Sequence, residues 1–204
     1  MHADHPKPDA GHLFEIAESQ QGYFTAQQAI AAGYARVTHG YHSEAGNWLR
    51  EHRGIYRFRR YPQSEEGQLV LWSLWARDRE GTPQGVYSHL TALRIKDLSD
   101  ANPSRLEMTV PPNFRRNSEV PAIVVLHKAQ LAADDLIQER GYRLTTPLRT
   151  IVDLAISEDA DRDMIEQALK EAQSRGLITG KQIALARDRA DLPAWLIRLM
   201  GHDT

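Results

Sequence analysis

The sequence predicts an α+β protein: a small helical unit closed by a β-hairpin, then a mixed α/β C-terminal domain with a small sheet and several helices. Two observations predict it. Residues 11–61 read helix, helix, helix, hairpin, with a capping box and a terminating glycine inside that run. From residue 67 onward, helix-period apolar faces bracket two strand-like runs.

The opening stretch MHADHPKPDA has no apolar core. Residues 1–10 are expected to form a flexible tail, neither signal peptide nor anchor, and the cytoplasm is the expected location. Residues 11–19 place Leu13, Phe14, Ile16 and Ala17 at helical spacing. Thr25 and Gln28 stand at capping-box spacing and open a second helix, with Ala29 and Ile30 as its buried face and Gly33 as its stop. A third helix is expected over 37–45, burying Val37, Tyr41 and Ala45, although Gly40 weakens it by about 1 kcal/mol relative to Ala. Asn47-Trp48-Leu49-Arg50 and Ile55-Tyr56-Arg57-Phe58-Arg59 flank a Gly-containing turn and read as a hairpin, which Pro62 closes. Helix, helix, helix, hairpin is the order of a winged helix-turn-helix, assigned to residues 11–62.

Residues 64–66 read as a polar linker, and 67–204 as the C-terminal domain. Within it, 67–77 is apolar with Trp72 and Trp75 and predicts a core helix; 86–95 predicts another. Residues 105–110 alternate as a half-buried strand does, and the β-branched run 120–127 is its expected partner. Thr146-Pro147 is a helix start, with Leu148, Ile151, Val152 and Ala155 as the buried face. Met164, Ile165, Ala168, Leu169 and Ala172 mark a further helix stopped by Gly176. Thr179 with Gln182 opens a short one, and 193–200 forms the last.

Composition excludes several functions. The chain holds 204 residues with a formal net charge of −2, which rules out a uniformly basic nucleic-acid binder and a disordered acidic chain. Zero cysteines exclude disulfides, thiolate metal sites, iron–sulfur clusters and Cys nucleophiles. No apolar run approaches the roughly 20 residues that span a bilayer, so no membrane partner is expected. The near-neutral total hides an asymmetry. Residues 34–60 carry six Arg against two acids, whereas residues 150–204 carry seven basic residues against ten acids. A basic N-terminal unit before an acidic domain is the pattern of a DNA reader joined to a separate functional domain.

The expected partner is double-stranded DNA. Arg36, Thr38, His39 and His42 lie on the expected recognition helix, where polar side chains reach base edges. Arg50, Arg53, Arg57, Arg59 and Arg60 belong to the wing and are expected to meet phosphates or the minor groove. Thr25, Gln27 and Gln28 start the preceding helix, whose amides can meet a phosphate. Trp48 and Tyr56 are expected to pack the wing onto the helices rather than to stack single-stranded bases.

The stretches GYFTAQQAIAAGY and YHSEAGNWLREHRGIYRFRRYP resemble the N-terminal domain of the AbiEi family of antitoxins from type IV toxin–antitoxin systems. Gly46-Asn47-Trp48, Arg53-Gly54-Ile55-Tyr56-Arg57 and Tyr61-Pro62 carry most of that resemblance. SHLTAL at 88–93, Thr109-Val110-Pro111 and TTPLRTIVDL at 145–154 resemble the family's second domain. The resemblance implies a transcriptional regulator that represses its own operon through inverted repeats, as a dimer on the DNA. It further implies a second domain that counteracts a nucleotidyltransferase-type toxin, without requiring direct contact. A winged-helix regulator whose second domain binds a ligand or a protein is the alternative.

No catalytic residue, metal or cofactor is expected. Related proteins ending in a small nuclease need a Glu/Gln-x-Lys element, and the residues two before the lysines are His5, Arg94, Leu126, Ala168 and Thr179. His39, His42 and Glu44 lack a third His or Cys at ligand spacing. Ser88-His89 reads as a helix start capped by Ser88, since no nucleophile elbow is present. Asp134-Asp135 and the acidic residues of 158–163 read as solvated helix-start carboxylates. Asp153 is expected to be partly buried and paired with Arg149 one turn earlier.

Overall fold

The computed structural model describes residues 7–116, 119–187 and 191–201. The expected 1–10 tail lies mostly outside them. The described part begins by capping a helix: Asp9 accepts a hydrogen bond from the His12 amide and starts α1 (Ala10–Ser19). The chain divides into two compact units, residues 1–85 with 138–142, and residues 86–137 with 143–204. Helices and strands are mixed in both, so the α+β class holds. Among the described residues no helix is long and apolar enough to cross a membrane.

The N-terminal unit starts with α1 and a strand that has no signature in the sequence, β1 (Tyr23–Thr25). Three residues give no readable alternation, and all three are buried. Gly22 precedes it at φ +83°, where a Cβ would stand 2.2 Å from the Tyr61 ring. Helix α2 (Ala26–Ala31) is opened by the expected capping box: the Gln28 amide donates to Thr25 Oγ1 at 3.1 Å, and the Thr25 amide donates to Gln28 Oε1 at 2.8 Å. Ala29 is buried as expected, but Ile30 is exposed. The third helix begins as a short 3-10 turn over Arg36–Thr38 and continues as α3 (His39–Glu44). The hairpin is β2 (Trp48–His52) and β3 (Ile55–Phe58), joined by Arg53-Gly54 with Gly54 at φ +71°. The order β1-β3-β2, antiparallel throughout, completes a winged helix-turn-helix. Residues 64–66 are not a linker: Ser64 accepts from the Gly67 amide and caps α4 (Glu65–Trp75), which carries two Glu in its first turn.

The C-terminal unit is built on a sheet whose strands are β4 (Val86–Tyr87), β5 (Leu106–Val110), β6 (Val124–Lys128), β7 (Leu136–Gln138) and β8 (Arg143–Thr145). Their spatial order is β6-β5-β4-β8-β7. Strands β5 and β6 run parallel in register Leu106↔Val124 to Val110↔Lys128, as the expected strand pair. The helix expected over 86–95 is shorter. Its first two residues form β4, between β5 and β8, and the helix is α5 (His89–Ile95). The remaining helices are α6 (Pro147–Ser157), α7 (Arg162–Ser174), α8 (Gly180–Arg187) and α9 (Ala194–Met200). They enclose one apolar core that includes Leu93, Ile151, Leu154, Leu169 and Leu196. The Thr179–Gln182 box is formed, with the Thr179 amide 2.8 Å from Gln182 Oε1. Asp153 is half-buried and takes the Arg149 Nε at 2.8 Å, while the same guanidinium reaches Asp135 at 2.7 Å.

Candidate nucleic-acid interface

The geometry of this unit follows from an aromatic cluster under the hairpin. Phe24 meets Trp48 edge-on at 5.0 Å, Tyr34 meets Trp48 at 5.1 Å, and His42 stacks on Trp48 at 4.4 Å. Trp48 and Tyr56 are therefore core residues that tie the wing to the helices, as expected, and are not open for base stacking. Burial, and then the charge of His39, hold the His42 imidazole below the usual range.

That cluster decides which face of the third helix points outward. His39 is only 4% exposed, with Nε2 3.2 Å from the Tyr34 carbonyl, and its ring packs edge-on against Trp48 and Tyr56. With His39 inward, Val37 is 90% exposed and Tyr41 68% exposed, and Ala45 is exposed too. The expected buried face is thus the outer face. The reason is local: a 3-10 turn followed by an α-helix shifts the angular phase that a uniform 3.6-residue period assumes. Gly40 lies between the two exposed side chains, and nothing stands within 4 Å of where its Cβ would be.

The twelve residues expected to face DNA divide accordingly. Thr25, His39 and Arg57 are buried, contrary to expectation. Thr25 and its partner Gln28 use their side chains on each other's amides, and Gln28 also bonds Gln20, so neither presents a group to a phosphate. His39 faces the core. Arg57 is 5% exposed: its Nε donates to Glu51 Oε1 at 2.7 Å, its Nη1 donates to the Tyr61 carbonyl, and its guanidinium lies 5.8 Å from the Tyr23 ring centroid. It is a strut of the wing, because β3 is the central strand and residue 57 points to its covered side. Thr38 and His42 are half-buried, and Thr38 Oγ1 donates to the Ala35 carbonyl at 2.7 Å.

The other six are exposed: Gln27, Arg36, Arg50, Arg53, Arg59 and Arg60. Among the described residues, none of the five Arg takes part in an ion pair. Arg36 opens the 3-10 turn, Arg50 sits on β2, Arg53 at the hairpin tip, and Arg59 and Arg60 just past β3. Solvated guanidiniums without internal partners are the groups that can exchange water and counterions for phosphate. Sequence reasoning missed Val37 and Tyr41, which patterning assigned to the core. The signal that could have found them is His39, whose donor fits the carbonyl that ends the preceding turn.

The considered metal set of His39, His42 and Glu44 is not brought together, since His39 is turned into the core and Glu44 is exposed. The ligand-type residues that do converge are His89, His127 and Asp159, all in the C-terminal unit. Burial and the nearby His127 hold the His89 imidazole down to about 4. Ser88 precedes α5 without making a side-chain capping bond, and its hydroxyl is engaged with His89 and Thr109 instead.

Residues 13–59 match the family model described as transcriptional regulator, AbiEi antitoxin, so the resemblance read from the sequence holds over the winged helix-turn-helix. No curated protein matches the chain. Among solved structures, the crystal structure of the RV2827C protein from Mycobacterium tuberculosis is similar at a TM-score of 0.51 and 14% identity, covering 95% of this chain and 77% of that one. At that identity the likeness concerns the fold.

Proposed function

We propose that this protein binds double-stranded DNA through the 3-10 turn, α3 and the wing, represses its own operon from inverted repeats as a dimer on the DNA, and serves as the antitoxin of a type IV system. The C-terminal unit then counteracts a nucleotidyltransferase-type toxin, with no direct contact required and no catalytic step of its own. The observation that carries the DNA half is the set of five exposed, unpaired Arg on the turn and wing of a winged helix-turn-helix. The antitoxin half is supported by the family matched at residues 13–59.

In this reading Arg50, Arg53, Arg59 and Arg60 meet phosphates, and Arg36 reaches a base edge beside Val37 and Tyr41. The test is a titration of the protein against its own upstream DNA and a scrambled duplex at two salt concentrations. Sequence-selective binding with a steep salt dependence is the expected result. Arg53→Ala should weaken both duplexes alike and lower the salt slope by about 0.9. Equal, weak binding to both duplexes overturns the repressor reading, and rescue of cells expressing the neighbouring toxin gene then decides the antitoxin reading alone.

A further inference from the structure

The C-terminal unit holds a constellation that DNA binding does not use. His89 is the first residue of α5, is buried, and sits at φ +52°, a left-handed conformation that a non-glycine residue adopts at a cost. Its Nδ1 lies 2.9 Å from Ser88 Oγ, which accepts a hydrogen bond from Thr109 Oγ1 at 2.8 Å. The His127 ring, on β6, stacks on the His89 ring with centroids 3.7 Å apart, and its Nε2 lies 3.1 Å from Glu107 Oε2. Asp159 follows α6. One ligand atom from each of His89, His127 and Asp159 lies within 4.8 Å of the other two.

We propose that His89, His127 and Asp159 form a binding site for a divalent transition-metal ion of the zinc type. The hydrogen bonds allow each histidine to present one nitrogen to the ion. Glu107 can only accept, so the His127 Nε2–H donates to it and leaves Nδ1 for the ion. Ser88 Oγ has a second lone pair that can accept the His89 Nδ1–H, the tautomer in which His89 Nε2 is left for the ion. A carboxylate behind one imidazole and a hydroxyl behind the other are the supports that orient metal-binding histidines. Two nitrogens and a carboxylate oxygen suit zinc, which then takes water as its fourth ligand. The rings are only 14° from parallel, and lone pairs lie in the ring planes, so both nitrogens can address one ion only if a ring turns. His127, 24% exposed at its side chain, is the one with room, and the long Glu107 side chain can follow it. An ion held this way joins the start of α5, β6 and the segment after α6.

The test uses the full chain carrying His2→Ala and His5→Ala, which removes adventitious N-terminal binding. Zn²⁺ is titrated by calorimetry, Co²⁺ by its visible absorption, and thermal unfolding is followed with each. Expected are one ion per chain, a tetrahedral Co²⁺ spectrum and a raised Tm. His127→Ala and Asp159→Asn should each weaken Zn²⁺ at least tenfold, and Glu107→Gln about tenfold. Asp159 is exposed, so its variant remains informative if His127→Ala does not fold. Absence of stoichiometric binding overturns the site, and so does an affinity unchanged by Asp159→Asn and Glu107→Gln.

Discussion

Two arginines of the N-terminal unit have opposite duties. Arg57→Ala should destabilise that unit by about 3 kcal/mol, because Glu51, largely buried itself, loses its partner and the Tyr61 carbonyl loses its donor. Urea unfolding measures this, and DNA affinity per folded molecule should hold. Arg36→Ala should do the reverse: unfolding unchanged, and selectivity at one operator position relaxed by about 1–3 kcal/mol. The five Arg between residues 50 and 60 marked a wing rich in cations, but the sequence could not say which guanidinium pairs internally, since Glu51 meets Arg57 only across the hairpin. A titrating residue gives a third expectation. Burial, then the charges of Glu139 and Glu66, push the Tyr142 phenol up to about 12 from the usual 10.0. Its folded value is the higher one, so its contribution is full below pH 10 and fades as the pH rises through about 12. Tyr142→Phe should flatten the alkaline fall in urea midpoint.

Elements were legible wherever a local device marked them. The Thr25–Gln28 and Thr179–Gln182 boxes, the Pro147 start and the Gly54 turn each act over four residues or fewer, and the corresponding helices and hairpin are found where these signals stand. Strands β1, β4, β7 and β8 have two or three residues each, too short for a period, and exist because neighbours pair with them. The third helix shows a subtler limit. Its apolar spacing was visible, but its orientation came from His39, through a bond to Tyr34 and rings contributed by the hairpin. The outward Val37 has a measurable use in the groove, where an apolar side chain meets the thymine methyl. Replacing thymine by uracil throughout the bound half-sites should weaken binding by about 0.8 kcal/mol for each methyl lost from contact, and Val37→Ala should abolish that difference. Equal affinities of the wild-type protein for the two duplexes would remove Val37 from the reading surface.

At the scale of the whole molecule, the asymmetry of charge between the basic stretch 34–60 and the net acidic stretch 150–204 agrees with the division of labour proposed above. Arg36→Ala combined with Arg53→Ala should derepress a reporter placed behind the protein's own promoter and still rescue cells from the toxin. Loss of both activities together would tie toxin control to DNA occupancy. The convergence of His89, His127 and Asp159 was not legible, because 38 and 32 residues separate successive members and a parallel strand pair must form before they meet. The same holds for residues 138–142, which belong to the N-terminal unit although they stand far along the chain. There Gly141, at φ +90°, fits against Val70 and the backbone of Gln20, where a Cβ would come within 2.8 Å of Val70.

That late segment sets an order of events during synthesis. A ribosome that has released the winged helix-turn-helix, and even α4 behind it, has not yet supplied everything that unit packs against. The missing piece is translated only after β4, α5, β5 and β6 have emerged. A chain cut short by a nonsense codon or a protease between α4 and Gln138 therefore carries all the arginines of the wing but not the finished body that holds them. Incomplete copies of this protein should make poor competitors for the operator.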